Sequence, residues 1–316
     1  MSELSNAIEE YVALRRSLGS KLRGVDSALR NFAAFAEHEG AGHVTVEVAL
    51  RWAQQTTGNE RSTAAARLRM VRGFARWRQV TDPRTEVPPR DLLPARYHRK
   101  RPYLYTDDEI RQLVVAAHRL PSPTGLRGLT VATIVGLLAV TGMRVSEAVA
   151  LDRADVDLDD GVLSIRQSKF RKSRLVAVHQ STRQVLLDYA ATVDRLFPRR
   201  ATAAAFFVAE HGSRVSQWAV GYSFAKVSGQ IGLRAPIRGH RYGHGPRLHD
   251  LRHRFAAQTL VAWYRAGIDV ERELPRLVTY LGHAHVNETY WYLEAIPELL
   301  ELATQRLLDR RTEGES

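Results

Sequence analysis

His249-Asp250-Leu251-Arg252-His253, Leu281-Gly282-His283 followed by Tyr292, and, far upstream, Thr141-Gly142-Met143-Arg144 are the stretches on which this chain's reading turns. His249 and Arg252 are three apart, so a helix carries both on one face, about 5–6 Å apart at Cβ. Such a pair sets a hydrogen-bonding imidazole and a planar guanidinium fork on one anion. Arg144 follows Thr141-Gly142, where a glycine turn ends a helix and lets the arginine point into a cleft. Two arginines, two histidines and a tyrosine, spread over about 150 residues, suit a phosphodiester held by guanidinium forks while a tyrosine attacks it. The charge that grows in a pentacoordinate transition state is then met by preorganised positive charge.

Tyr292 is the candidate nucleophile. A free tyrosine has a pKa near 10, so only about a thousandth is phenolate at neutral pH. Nearby cations or a base must make it competent. Tyr290 is the rival, but two residues on a helix differ by about 200° in direction, so only one of the pair faces the site.

The rest of the chain fits an anionic partner. Lys and Arg total 46 against 34 Asp and Glu, a formal net charge of +12 over 316 residues. That excess favours a polyanion, since each phosphate neutralised releases condensed counterions. Cysteine is absent, which excludes disulfides, thiolate chemistry and Cys-based zinc sites. His240, His244, His249 and His253 lack carboxylate or cysteine companions, so they read as a basic loop, and no metal is expected. No secretory signal is visible at the start, and the longest apolar run, Leu129 to Val140, falls short of the ~20 residues of a membrane span.

Periodicity makes the chain mainly α-helical with a small β-sheet. Residues 1 to about 80 read as helices: Val25, Leu29, Phe32 and Phe35 line one face, Gly40 ends that helix, and Thr45 to Gln54 forms another. A helix from about Ser62 to Val80 buries Leu68, Val71 and Ala75, and its Arg69, Arg72 and Arg76 form a stripe beside them, a candidate DNA contact. Residues 82 to 103 are a proline-rich basic linker, with Arg99, Lys100 and Arg101 as further DNA-contact candidates. The domains expected are 1–95 and 104–316. The second opens on a capping box at Thr106-Asp107-Asp108-Glu109. It carries two short strands at Val162–Ile165 and Leu175–Val178, with a basic turn between. Arg247 and Arg254 are expected to meet phosphate or solvent, Glu147 to cap or pack, and His253 to be structural.

Thr141-Gly142-Met143-Arg144-Val145-Ser146-Glu147 resembles the first arginine box of the tyrosine recombinase (phage integrase) family. His249-Asp250-Leu251-Arg252-His253 resembles its H-x-L-R-H box, and Leu281-Gly282-His283 its third, with the tyrosine nine residues later selecting Tyr292 over Tyr290. The turn Ser168-Lys169-Phe170-Arg171-Lys172-Ser173-Arg174 is similar to the family's β-hairpin, whose lysine falls on Lys169 rather than Lys172. Six positions in order and spacing are a specific match over nearly the whole chain. Phe170 and the stretch Arg238 to Gly245 depart from the pattern without removing a catalytic group.

The resemblance implies two-domain recombinase architecture: a helical core-type DNA-binding domain and a mixed catalytic domain. It also implies the catalytic set Arg144, Lys169, His249, Arg252, His283 and Tyr292. Tyr292 would form a 3′-phosphotyrosyl bond, Lys169 would protonate the leaving 5′-oxygen, and neither cofactor, ATP nor metal would be needed. The implied partner is double-stranded DNA bearing recombination sites, with a tetramer in the synapse, sister recombinases as possible companions, and no membrane. A final helix with Ile296, Leu299, Leu300, Ala303 and Leu307 on one face is expected to dock in trans, through residues 296–310. The chain reads as a simple cytoplasmic integrase, nucleoid-associated when on DNA, without an arm-binding module and borne by a mobile element. The alternatives are a type IB topoisomerase and a catalytically silent accessory protein.

Overall fold

The computed structural model describes residues 2–20, 22, 24–55, 61–93, 101–166, 173–199, 204–235, 245–282 and 296–314. They fall into two compact units, Met1–Lys100 and Arg101–Ser316.

The first unit is four helices: α1 (Glu3–Ser17), α2 (Val25–His38), α3 (Val46–Gln54) and α4 (Arg61–Arg78). Local chemistry sets their ends. Thr45 accepts the Val48 N–H at 3.2 Å to start α3, and Gly40, at φ 70°, stops α2. Ile8, Leu29, Phe32, Trp52, Leu68, Val71 and Phe74 fill the core. The proline-bearing segment is not a free strap throughout. Arg72 Nε and Nη2 donate to the carbonyls of Pro88 and Pro89 at 2.6 and 2.5 Å, and Val87, Leu92 and Leu93 pack against this core.

The second unit is built around α6 (Leu126–Thr141), apolar on nearly every side and therefore buried. The expected capping box starts α5 (Asp107–His118): Thr106 Oγ1 accepts the Glu109 N–H at 3.1 Å, and Glu109 accepts the Thr106 N–H at 2.7 Å. After α7 (Val145–Ala148) comes a three-stranded antiparallel sheet, β1 (Val156–Asp157), β2 (Val162–Ile165) and β3 (Arg174–Ala177). Leu163 pairs with Val176, both buried, and Ile165 pairs with Arg174. β1 was not expected, because two residues are too few to show an alternation. Then follow α8 (Gln180–Leu196), α9 (Gln217–Gln230), α10 (Leu248–Arg265), α11 (Val270–Leu281) and α12 (Pro297–Gly314). The fold is thus mainly α with a small sheet, as the periodicity indicated.

The start of α12 lies on its own chain. Ile296 and Leu299 are buried with Leu260, Leu274 and Leu277, and Arg265 meets Glu298 at 2.7 Å. The apolar side of this first turn is covered by its own chain, while Leu300 stays exposed.

Gly142 ends α6 in the left-handed region at φ 60°. A Cβ there would overlap the Phe255 ring on α10. Gly142→Ala combines backbone strain with overpacking, so a loss of about 2–4 kcal/mol is expected by urea denaturation.

Candidate active site

Three helix ends and one strand end meet at the site. α10 begins where it does because the buried Asp250 accepts the Arg247 backbone N–H at 2.7 Å. That start sets His249 in the first turn and turns Arg252 inward, where it is 2% exposed. Arg252 Nη1 donates to Gly142 O at 2.8 Å and Nη2 to Leu281 O at 2.6 Å. These carbonyls close α6 and α11, and the partial negative charge at helix C-termini compensates the buried guanidinium.

Arg144 sits just past the Gly142 turn. Its Nη2 donates to Gly282 O at 2.9 Å, one residue along from the carbonyl that Arg252 holds. Its Nη1 donates to Glu147 Oε1, and its backbone N–H to Glu147 Oε2, both at 2.9 Å. The two boxes, more than 100 residues apart in sequence, are therefore tied to each other and to the Leu281-Gly282 turn by side-chain-to-carbonyl hydrogen bonds.

Two residues enlarge the site beyond the sequence reading. Glu147 is a buried carboxylate shared by two arginines, more than a cap, and the second of them is Arg174, with Nη1 and Nη2 at 3.0 and 2.7 Å. Burial works to raise the Glu147 pKa, but the Arg174 hydrogen bonds, the Arg144 N–H and both guanidinium charges hold it below the usual carboxylate range. A signal for Arg174 was present. It shares the inward face of β3 with Val176, while Leu175 and Ala177 point out, and an arginine on an inward face calls for a buried acid.

His249 is pushed down to about 4, first by desolvation and next by the Arg252 charge; Asp250 opposes this, while Arg247 and Arg144 add to it. The residue keeps an exposed side, and water there moderates the shift. The imidazole is nevertheless neutral at physiological pH and able to accept a proton. Between pH 6.5 and about 4 the unfolded chain binds a proton that the folded His249 does not. Stability should therefore fall as pH drops through that window, and less steeply in His249→Gln; urea midpoints across the window measure the difference. His253 is buried and packs edge-on to His249, ring centroids 4.7 Å apart, as a supporting residue would.

Arg254 departs from expectation. It is buried, donates from Nε to Tyr105 O at 2.7 Å, and pairs with Asp107, so it meets neither phosphate nor solvent. Arg247 is half-exposed and paired with Asp250. Of the candidate DNA contacts, Arg69, Arg76 and Arg101 are exposed, whereas Arg72 is engaged by the Pro88 and Pro89 carbonyls. Lys169, His283 and Tyr292 lie outside the described residues, as do Tyr290, Lys172, Arg99, Lys100, His240 and His244. Among the described residues no cluster is arranged to hold a metal, and no helix is long and apolar enough to cross a membrane.

A mainly helical chain with a small antiparallel sheet, carrying two arginine boxes folded onto one glycine turn, defines a class, and sequence comparison agrees. The chain belongs to the phage integrase family, whose profile matches residues 104–298. It is 46% identical to the putative integrase/recombinase y4rB of Sinorhizobium fredii, over 99% of each chain. It is 30% identical to the tyrosine recombinase XerD of Neisseria meningitidis serogroup B, over 78% of this chain and 77% of that one. Two solved structures share the fold at low identity. The XerH site-specific recombinase, bound to its palindromic difH substrate after cleavage, has a TM-score of 0.64 at 18% identity, covering 95% of this chain and 84% of that one. The Tn1549 transposon integrase, in complex with transposon right-end DNA, has a TM-score of 0.62 at 14% identity, covering 96% and 99%.

Proposed function

We propose that this chain is a site-specific DNA recombinase that cleaves and rejoins strands through a 3′-phosphotyrosyl bond at Tyr292, and that it serves a mobile element. The observation that carries the reading is the meeting of Arg144 and Arg252 on consecutive carbonyls of the Leu281-Gly282 turn. Two guanidiniums fixed there suit one phosphodiester, and the chain leads directly from that turn to His283 and Tyr292.

In the proposed reaction the Tyr292 oxygen attacks phosphorus and the bond to the 5′-oxygen breaks. Arg144 and Arg252 meet the charge on the non-bridging oxygens, and His283 hydrogen-bonds one of them. His249, neutral at physiological pH, takes the tyrosine proton, and Lys169 protonates the leaving 5′-oxygen. The phosphotyrosyl link conserves the phosphodiester energy, so rejoining by a 5′-hydroxyl needs no ATP, and the arginines do the electrostatic work of a metal. The first unit is the core-type DNA-binding domain in this reading, with its Arg69, Arg76, Arg99 and Lys100, and Arg101 at the start of the second, on the DNA backbone, and synapsis uses four protomers. DNA-bound relatives of the same fold support the choice of partner.

Nicked suicide duplexes drawn from the element's ends test the proposal, scored as SDS-resistant protein–DNA adduct in EDTA. Wild type and Tyr290→Phe should form the adduct, and Tyr292→Phe should form none. Tight DNA binding with no adduct from wild type would make the protein an accessory factor instead.

A further inference from the structure

We infer that Arg174 is a positioning residue of the strand-cleavage site, acting through Glu147 on Arg144; the inference rests on the recombinase reading above. Arg174 opens β3 opposite Ile165, the last paired position of β2 before the segment of sequence that carries Lys169. Its side chain is only 9% exposed and grips Glu147 with both terminal nitrogens. Glu147 thereby accepts four hydrogen bonds, two from Arg174 and two from Arg144. A carboxylate has about four acceptor sites, so this one is filled and cannot turn. Arg144 is held at one nitrogen by that fixed carboxylate and at the other by Gly282 O. Without Arg174, Glu147 keeps only the two hydrogen bonds from Arg144 itself, so nothing outside that pair fixes the carboxylate on which Arg144 rests.

Two further observations fit positioning better than packing. A Cβ on Gly282, at φ 64°, would stand 3.0 Å from Arg174 Nη1 and 3.5 Å from Arg144 Nη1. Bare backbone at this turn is what lets both head groups lie against it. Arg174 Nε is buried with no hydrogen-bond partner among the described residues, a desolvation cost that an apolar strand residue would avoid. Charge also favours the arrangement. Arg144 and Arg174 share one carboxylate, Glu147, so this group of three keeps a net positive charge to offer the phosphorane.

The test compares Arg174→Gln, Arg174→Lys, Arg144→Gln and the double variant Arg144→Gln/Arg174→Gln on suicide duplexes. The scissile linkage is a phosphodiester, a methylphosphonate lacking the negative charge, or a 5′-bridging phosphorothiolate whose sulfur leaves without protonation. Arg174→Gln should slow cleavage about 10²-fold with DNA affinity little changed, and Arg174→Lys should recover part of that. The defect should shrink on the methylphosphonate and persist on the phosphorothiolate, and the double variant should be no slower than Arg144→Gln. Equal loss on all three linkages would mean a purely structural residue. Rescue by sulfur would mean that Arg174 serves leaving-group protonation instead, and a multiplicative double variant would uncouple it from Arg144. A readout without turnover separates this inference from the recombinase reading. In ¹⁵N-arginine spectra the Arg144 Nη signals, assigned by their loss in Arg144→Gln, should be resolved in wild type and averaged in Arg174→Gln. Resolved signals in both overturn the coupling whatever the adduct assay gives, while absence of wild-type adduct overturns only the reaction assigned to the site.

Discussion

Arg252→Ala is expected to lower strand cleavage by about 10³-fold or more and to cost about 3 kcal/mol of stability. The two losses have different origins. In the proposed reaction, cleavage loses a guanidinium aimed where transition-state charge develops. Stability falls because Gly142 O and Leu281 O, which receive Arg252 at 2.8 and 2.6 Å, are left without that donor in the interior. Arg252→Lys separates the effects. An ammonium keeps the charge near the two helix ends but cannot fork between their carbonyls and a phosphate. Its stability should largely return while cleavage stays down at least about 10²-fold. Single-turnover cleavage and urea denaturation on the same preparations give both numbers, and a lysine variant cleaving at the wild-type rate would remove the case for bidentate phosphate binding.

Glu147→Ala should be the most damaging single change to stability near the site, about 3–5 kcal/mol. It leaves Arg144 and Arg174 facing each other, half- to fully buried, with their shared carboxylate gone. Glu147→Gln keeps the shape and one acceptor oxygen, so it should cost less while still releasing Arg144 and slowing cleavage. The pH dependence has a definite sign. The Glu147 carboxyl lies below its ordinary 4.5 in the folded protein, so its contribution is present above pH 4.5 and fades as pH falls through the folded value. Wild type should therefore lose stability in acid more steeply than Glu147→Gln, as urea midpoints on both sides of that pH will show.

Much of the second unit was legible because its signals are local. The capping box at Thr106 and Glu109, the apolar run of α6, and the strand alternation in Val162 to Ile165 each depend on residues within a turn or two. Arg144, His249 and Arg252 could be singled out for the same reason: a glycine turn and a three-residue helical spacing are visible in one dimension. Arg254 was misjudged, and the partners of Arg72 were missed, because exposure and pairing are not local. Arg254 reads as a surface cation on α10 until Tyr105 and Asp107 are brought against it. Arg72 reads as a free member of a basic stripe until the Pro88 and Pro89 carbonyls engage it. In each case the partner lies outside the residue's own helix, so helical periodicity carries no information about it.

From the order and spacing of a few polar residues, the sequence by itself determined the family, the class of fold and the two arginines that meet at the Leu281-Gly282 turn. Those depend on backbone propensity and on side chains one helical turn apart. Only the tertiary structure decided that Arg252 is held by the carbonyls of two different helix ends, that Glu147 is shared, and that Arg174 belongs with it. A hydrogen bond between residues 27 or 110 positions apart leaves no periodic trace in the chain. It exists only because α6, α10, α11 and β3 bury their apolar faces together, and that packing, driven by loss of apolar surface from water, sets where every polar group at their ends must find its partner.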